Sequence, residues 1–181
     1  RATASVRNDQ QVTLSTDQQS LLTPDAMSWW LGGKVEFVFD NVRKLDLNLW
    51  SGTRWKIFAE RYQVAGAPET DINIIGLDYR KYIKIHRNFI WANRLSASSS
   101  FGSRKLVYYL GSVDNWMLLS DRPRFDFSQN VASDQNYIWQ TIATPLRGFP
   151  QNVRNGNSFA LINSELRLPL FQYLLNKPIK S

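Results

Sequence analysis

Ser96, Ser98, Ser99 and Ser100 gather hydroxyls in one short stretch, and a nucleophilic serine is the first chemistry they suggest. Activating such a serine takes a base and a sharply turned backbone, and no Gly-x-Ser-x-Gly element surrounds these four. The single histidine, His86, stands beside Arg87 in a predicted turn, where an exposed side chain is a better reading than a catalytic base. Asp121 and Asp126 lie near Arg122 and Arg124, an arrangement that gives solvated ion pairs rather than an acid/base couple. Cysteine is absent, which removes disulfides, thiolate metal sites and a cysteine nucleophile together. With no phosphate-cradling glycine loop and no cluster of metal ligands either, the sequence points away from an enzyme and implies no cofactor.

The alternation of residue types says what would position these groups. Val35, Phe37 and Phe39 fall on one side of a strand, with Lys34, Glu36 and Asp40 on the other, since successive side chains point to opposite faces. Trp55, Ile57 and Ala59 alternate with Arg54, Lys56 and Glu60. Asn73, Ile75, Leu77 and Tyr79 alternate more noisily with Ile74, Gly76, Asp78 and Arg80. Phe89, Trp91, Leu95, Ala97 and Phe101 alternate with Ala92, Arg94, Ser96, Ser98 and Ser100, which reads the serines as small polar residues of one face. Ala160, Ile162, Leu166, Leu168 and Leu170 alternate with Leu161, Asn163, Glu165 and Arg167, and a weaker strand runs from about Ala2 to Leu14. The chain is therefore expected to be all-β.

These strands run to about 11–14 residues, beyond the usual soluble mean of about 5–6. About 9–11 residues suffice for a tilted strand to cross a bilayer. Ala67–Thr70 and His86–Asn88 read as tight turns, Gln19–Ser28 and Asn41–Gly52 as moderate loops. Residues 102–156, about 55 of them with little alternation, exceed ordinary loop length and read as a functional extracellular loop. Short turns at one end and a long loop at the other match an outer-membrane-type antiparallel β-barrel. Trp55 and Trp91 then mark one membrane interface, and Trp29, Trp30 and Phe101 the other. The net charge of +7, from 22 Lys+Arg against 15 Asp+Glu, has a second reading as a nucleic-acid footprint. Arg54, Lys56, Arg80, Arg94 and Arg167 are instead spread over the strands' polar face, opposite the aromatics, as lumen-facing charges would be. Nucleic acid is therefore not an expected partner.

Pro145-Leu146-Arg147-Gly148-Phe149, followed by a strand carrying Ser164-Glu165-Leu166-Arg167-Leu168-Pro169, resembles the bacterial surface antigen family, the outer-membrane protein insertases and two-partner secretion transporters. Tyr109-Leu110-Gly111-Ser112 resembles that family's aromatic-Leu-Gly-Gly element, with Ser112 in place of the second glycine. Phe39-Asp40-Asn41, Ser51-Gly52-Thr53-Arg54, Asp78–Tyr82 and Trp91–Leu95 resemble its strands and turns, so the likeness runs from about Trp29 onward. It implies a long loop folded into the barrel lumen, with Arg147 paired to Glu165 on the inner wall, Gly148 setting the backbone and Phe149 as an apolar anchor. The plainer alternative leaves Arg147 solvated and pairs Glu165 with an arginine such as Arg94. About six strands of a larger barrel of about sixteen are expected, because known barrels begin at eight. Residues 1–181 are then part of a C-terminal barrel domain, with no counterpart of the family's last strands or of its periplasmic repeats.

The resemblance implies residence in the outer membrane of a Gram-negative-type bacterium. The partners it implies are outer-membrane lipid and lipopolysaccharide, client polypeptides, and subunits in the periplasm or membrane. Protein insertion or translocation is the implied function. A barrel that only anchors a fused periplasmic or surface domain, and a soluble β-sandwich binding module, are the competing readings. Arg147→Ala and Glu165→Ala are each expected to impair barrel assembly or client transport, with partial recovery when the two charges are exchanged. Wild-type assembly and transport in both single variants would overturn the pairing.

Overall fold

The computed structural model describes residues 1–10, 27–46, 49–86, 89–111, 125–132, 134–146 and 149–168. Strand is the only regular structure among them: β1 (Ala2–Gln10), β2 (Met27–Asp40), β3 (Arg43–Asp46), β4 (Leu49–Val64), β5 (Ala67–His86), β6 (Phe89–Phe101), β7 (Lys105–Gly111), β8 (Tyr137–Pro145), β9 (Arg154–Gly156) and β10 (Ser158–Arg167). The large sheet runs β1-β2-β4-β5-β6-β10, with β3 folded back on β4. Every neighbouring pair in it is antiparallel. The six strands on this path are the six that alternation marks in the sequence. Their outer edges, on β1 and β10, carry no further strand among the described residues, so the sheet is open.

Two connections differ from expectation. The turn before β5 falls at Ala65–Gly66, and Ala67–Thr70 already belongs to a strand of 20 residues. Gly66 adopts φ +88°, a conformation open to glycine, so the reversal happens there and not at Pro68. The Asn41–Gly52 loop contains β3, a short hairpin arm on β4. Of the expected turn His86–Asn88, His86 ends β5 and residues 87–88 lie outside the described residues; of the expected loop Gln19–Ser28, Met27 and Ser28 already begin β2 and residues 19–26 lie outside.

The larger difference concerns residues 102–156. They carry β7, β8 and β9, which form a second sheet in the order β8-β7-β9, with β7 and β8 parallel. Alternation is invisible here for a physical reason: Leu106, Val107, Tyr108 and Tyr109 are all buried, in succession. A strand covered on both faces reads as an unbroken apolar run. Leu106 and Tyr108 join Trp30, Ile72 and Ile74 of the large sheet in one core, while Val107 and Tyr109 pack with Tyr137, Phe125 and Val131 on the far side. Ring contacts fasten the layers, with Trp139 at 5.1 Å from Trp30 and 5.3 Å from Tyr62, and Tyr108 at 5.0 Å from Phe159. The second sheet thus covers one face of the large sheet, here termed inner.

Aromatic rings lie over glycines on that inner face. Gly32 pairs with Tyr62 and Gly76 with Phe58 across adjacent strands. A Cβ on Gly76 would sit 2.3 Å from the Phe58 ring, and one on Gly32 would sit 2.3 Å from the Tyr62 ring. Each glycine therefore opens the space its partner's ring fills, which fixes register as well as packing. Gly76→Ala is expected to destabilise the fold by about 1–3 kcal/mol, the usual range for overpacking. Denaturant titration checks this, and adding Phe58→Ala should remove most of the extra loss in a double-mutant cycle.

Candidate functional site

Register stacks charged residues into rows across the inner face. Arg54 stands opposite Arg80 and Arg80 opposite Arg94, a ladder of arginines over three adjacent strands. Lys56, Asp78 and Ser96 form the next row. Like charges facing each other across strands repel, and Asp78 is the carboxylate placed to offset this. It accepts from Arg80 Nε at 2.9 Å and Nη2 at 3.0 Å, and from Arg94 Nη2 at 2.7 Å. Arg54 lies 3.5 Å from Asp40. Lys34 donates to Glu60 at 2.7 Å, and Tyr62 donates to the other Glu60 oxygen at 3.1 Å. At the far end Arg167 donates twice to Glu165, at 2.7 and 3.1 Å, and its guanidinium lies 5.8 Å from the centre of the Tyr82 ring.

Arg54, Lys56, Glu60, Arg94 and Arg167, chosen from the sequence as inward charges, share this one face with Glu165. Arg147 and Gly148 lie outside the described residues. Phe149 is exposed. The sequence alternative that gave Arg94 to Glu165 is not the observed arrangement, since Arg94 goes to Asp78. Trp29 and Trp91 are exposed on the outer face, and Trp55 stacks there with Phe37 and Phe39. Trp30 departs from its expected interface position. Adjacent strand residues must point to opposite sides, so Trp30 faces inward and is 1% exposed, in the core against Trp139.

Two sequence elements that are far apart meet in the second sheet. The Leu146 N–H donates to Gly111 O at 3.0 Å, and Pro145 pairs with Gly111, which brings Tyr109–Gly111 beside Pro145 and Leu146; Ser112, Arg147 and Gly148 lie outside the described residues. Nearby, Asn152 is fully buried with φ +60°. Its amide donates to Asp126 O at 2.8 Å and Gln129 O at 3.0 Å, and its oxygen accepts from Asn155 at 2.8 Å. The Ser128 hydroxyl and N–H hold the Asp126 carboxyl below the usual carboxylate range. Composition alone did not single out Asp78, Arg80 as its partner, or Asn152. For Asp78 the signal was available, because it falls on the same strand parity as Arg80 and opposite Lys56.

The outer face has the reverse character. Val35 is 64% exposed, Phe37 66% and Ile162 74%, and Leu31, Ile57, Ile75, Trp91, Phe101 and Leu166 are exposed beside them. The few polar groups among them satisfy one another. Trp91 Nε1 donates to Ser164 Oγ at 2.7 Å, Ser164 donates to Asn93 at 3.0 Å, and Ser99 and Ser158 hydroxyls are 2.8 Å apart. No group of His, Cys, Asp and Glu among the described residues could hold a metal ion. Comparison with family models, curated proteins and solved structures gives no match.

Asp78→Asn removes the charge that separates two arginines. It is expected to destabilise the fold by about 1–3 kcal/mol, the cost of stranding partly buried polar groups. Salt should shrink that loss by screening the arginine pair, which denaturant midpoints at low and high ionic strength measure.

Proposed function

We propose that this chain forms part of an outer-membrane β-barrel, with residues 102–156 lying in the lumen, and that the barrel serves protein insertion into or translocation across that membrane. The observation that carries the membrane reading is the inversion of the large sheet: apolar side chains on the open face, charges on the covered one. A soluble sandwich buries the apolar face instead. From Trp91 to Phe101 the outward residues of β6 climb about 33 Å along the strand. At the tilt of about 40° usual for membrane strands this is about 25 Å along the normal, the height of a barrel's apolar band. Trp91 and Phe101 end that band with an aromatic at each level, where bilayer interfaces favour them. The mutual hydrogen bonds of Ser164, Asn93 and Trp91 suit a setting without water, where an unpaired polar group is costly.

Transport, as opposed to anchoring, rests on the likeness of Pro145–Phe149 and Ser164–Pro169 to the bacterial surface antigen family. The hydrogen bond from the Leu146 N–H to Gly111 O supports it, because Tyr109–Gly111 and Pro145–Leu146, parts of the two elements, lie side by side. The open edges of β1 and β10 are where further barrel strands would pair. Client polypeptide, membrane lipid and lipopolysaccharide remain the partners of this reading.

Ile57 lies mid-band on the outer face and is exposed. Ile57→Arg is expected to cost about 2–4 kcal/mol of folding stability in lipid vesicles. At an ordinary water-facing position the same change would stay within about 0.5 kcal/mol, and that result would sink the membrane reading. Photo-crosslinkers at Ser96 should capture translocating polypeptide. An inserted barrel without such crosslinks would favour the anchor.

A further inference from the structure

Charge is scarce on the outer face of the large sheet. On the outward positions of 53–61, 71–83, 91–101 and 158–166, the charged residues are Arg61, Asp71 and Lys81. Arg61 and Asp71 stand at one end, 3.8 Å apart. Lys81 stands at the other end, exposed, and makes no ion pair or hydrogen bond with a described residue. Register sets it in a polar row over four adjacent strands, made of Thr53, Lys81, Asn93 and Ser164. Within that row Trp91 donates to Ser164 and Ser164 donates to the Asn93 oxygen. The Lys81 ammonium, the Thr53 hydroxyl and the Asn93 amide nitrogen are left as donors without an acceptor among the described residues. Side chains directly opposite across strands lie about 5 Å apart at Cβ, so these donors adjoin.

We propose that this row binds the head of an anionic phospholipid, an inference that rests on the membrane reading of the outer face. The row lies one step inside the level of Trp91. From there an extended lysine carries its ammonium along apolar surface to the interface. It meets the lipid phosphate, while Thr53 and Asn93 donate to the deeper ester carbonyls. The acyl chains continue over the next row, where Tyr79 pairs with Leu95. A zwitterionic head would bring its own ammonium, and the outward positions near Lys81 offer no carboxylate to receive it. Lipopolysaccharide carries several phosphates, more than one lysine matches. This end of the sheet also holds the short connection from β5 to β6, the periplasmic side on the present reading, where the leaflet is phospholipid.

The test uses the full chain in phosphatidylcholine vesicles. Because cysteine is absent, Leu95→Cys or Val35→Cys carries a bimane fluorophore at a single position, beside the row or far from it on the same face. Phosphatidylglycerol or phosphatidylcholine bearing a nitroxide on its acyl chain is added, and quenching is followed. At position 95 phosphatidylglycerol is expected to associate about fivefold more strongly than phosphatidylcholine, the effect of one cation near a membrane surface. At position 35 the two lipids should quench alike. Lys81→Gln should abolish the preference at position 95, and Lys81→Arg should keep it. Equal quenching by the two lipids at position 95, or a preference that survives Lys81→Gln, overturns the site and leaves the membrane reading standing. No quenching at either position by either lipid overturns the membrane reading, and the site with it. If Lys81→Gln does not assemble, the contrast between positions 95 and 35 without that change decides, and no contrast counts against the site.

Discussion

Successive residues of a strand point to opposite faces, and in this chain the charged face is the one that is covered. The other features of the structure follow from that constraint. A sheet that buries its apolar side needs only packing, whereas one that covers arginine, lysine and carboxylate must provide each with a partner. Asp78 does so for Arg80 and Arg94, Glu60 for Lys34, and Glu165 for Arg167. Glycines 32 and 76 let Tyr62 and Phe58 lie flat across the same face, so the covered layer mixes ion pairs with rings.

The second sheet stays in place through one apolar patch and a rim of hydrogen bonds. Trp30, Ile72 and Ile74 make that patch toward one end of the inner face, and Leu106, Tyr108 and Ile138 seat upon it. At the rim, Asp71 joins Ser103 and Arg104 where the chain leaves β6, and the Ser100 hydroxyl accepts from the Leu106 N–H. The Asn152 amide closes the far part of the segment upon itself. The second sheet is thus held by its apolar side, and the charged rows beside it border a cavity of about 360 Å³.

Much of the large sheet was legible because strand parity is a local property. Lys34–Asp40 or Arg54–Glu60 already say which residues share a face, and the register confirms the sharing across β2 and β4. Parity also held the correction for Trp30, since Trp29 and Trp30 are adjacent and cannot both face outward. The segment 102–156 resisted because burial on both sides erases alternation, as Leu106–Tyr109 illustrate. Of the Asp78 bridge, the Arg80 half is two residues along the same strand and readable from parity, whereas the Arg94 half was hidden because which arginine of the next strand a carboxylate meets depends on cross-strand register.

On the proposed reading the outer face of the large sheet, odd-numbered on β4 and β5 and even-numbered on β10, meets lipid. The sequence contains no cysteine, so single cysteines can be placed at will along β4 and β5 and spin-labelled in vesicles. Oxygen, which concentrates in hydrocarbon, and a water-soluble nickel chelate then report the surroundings of each label. A strict period of two is expected, with high oxygen and low chelate access at positions 55, 57, 59, 75, 77 and 79, and the reverse or a buried signal at 56, 58, 60, 74, 76 and 78. Free chelate access at 57, 75 and 77 would contradict it.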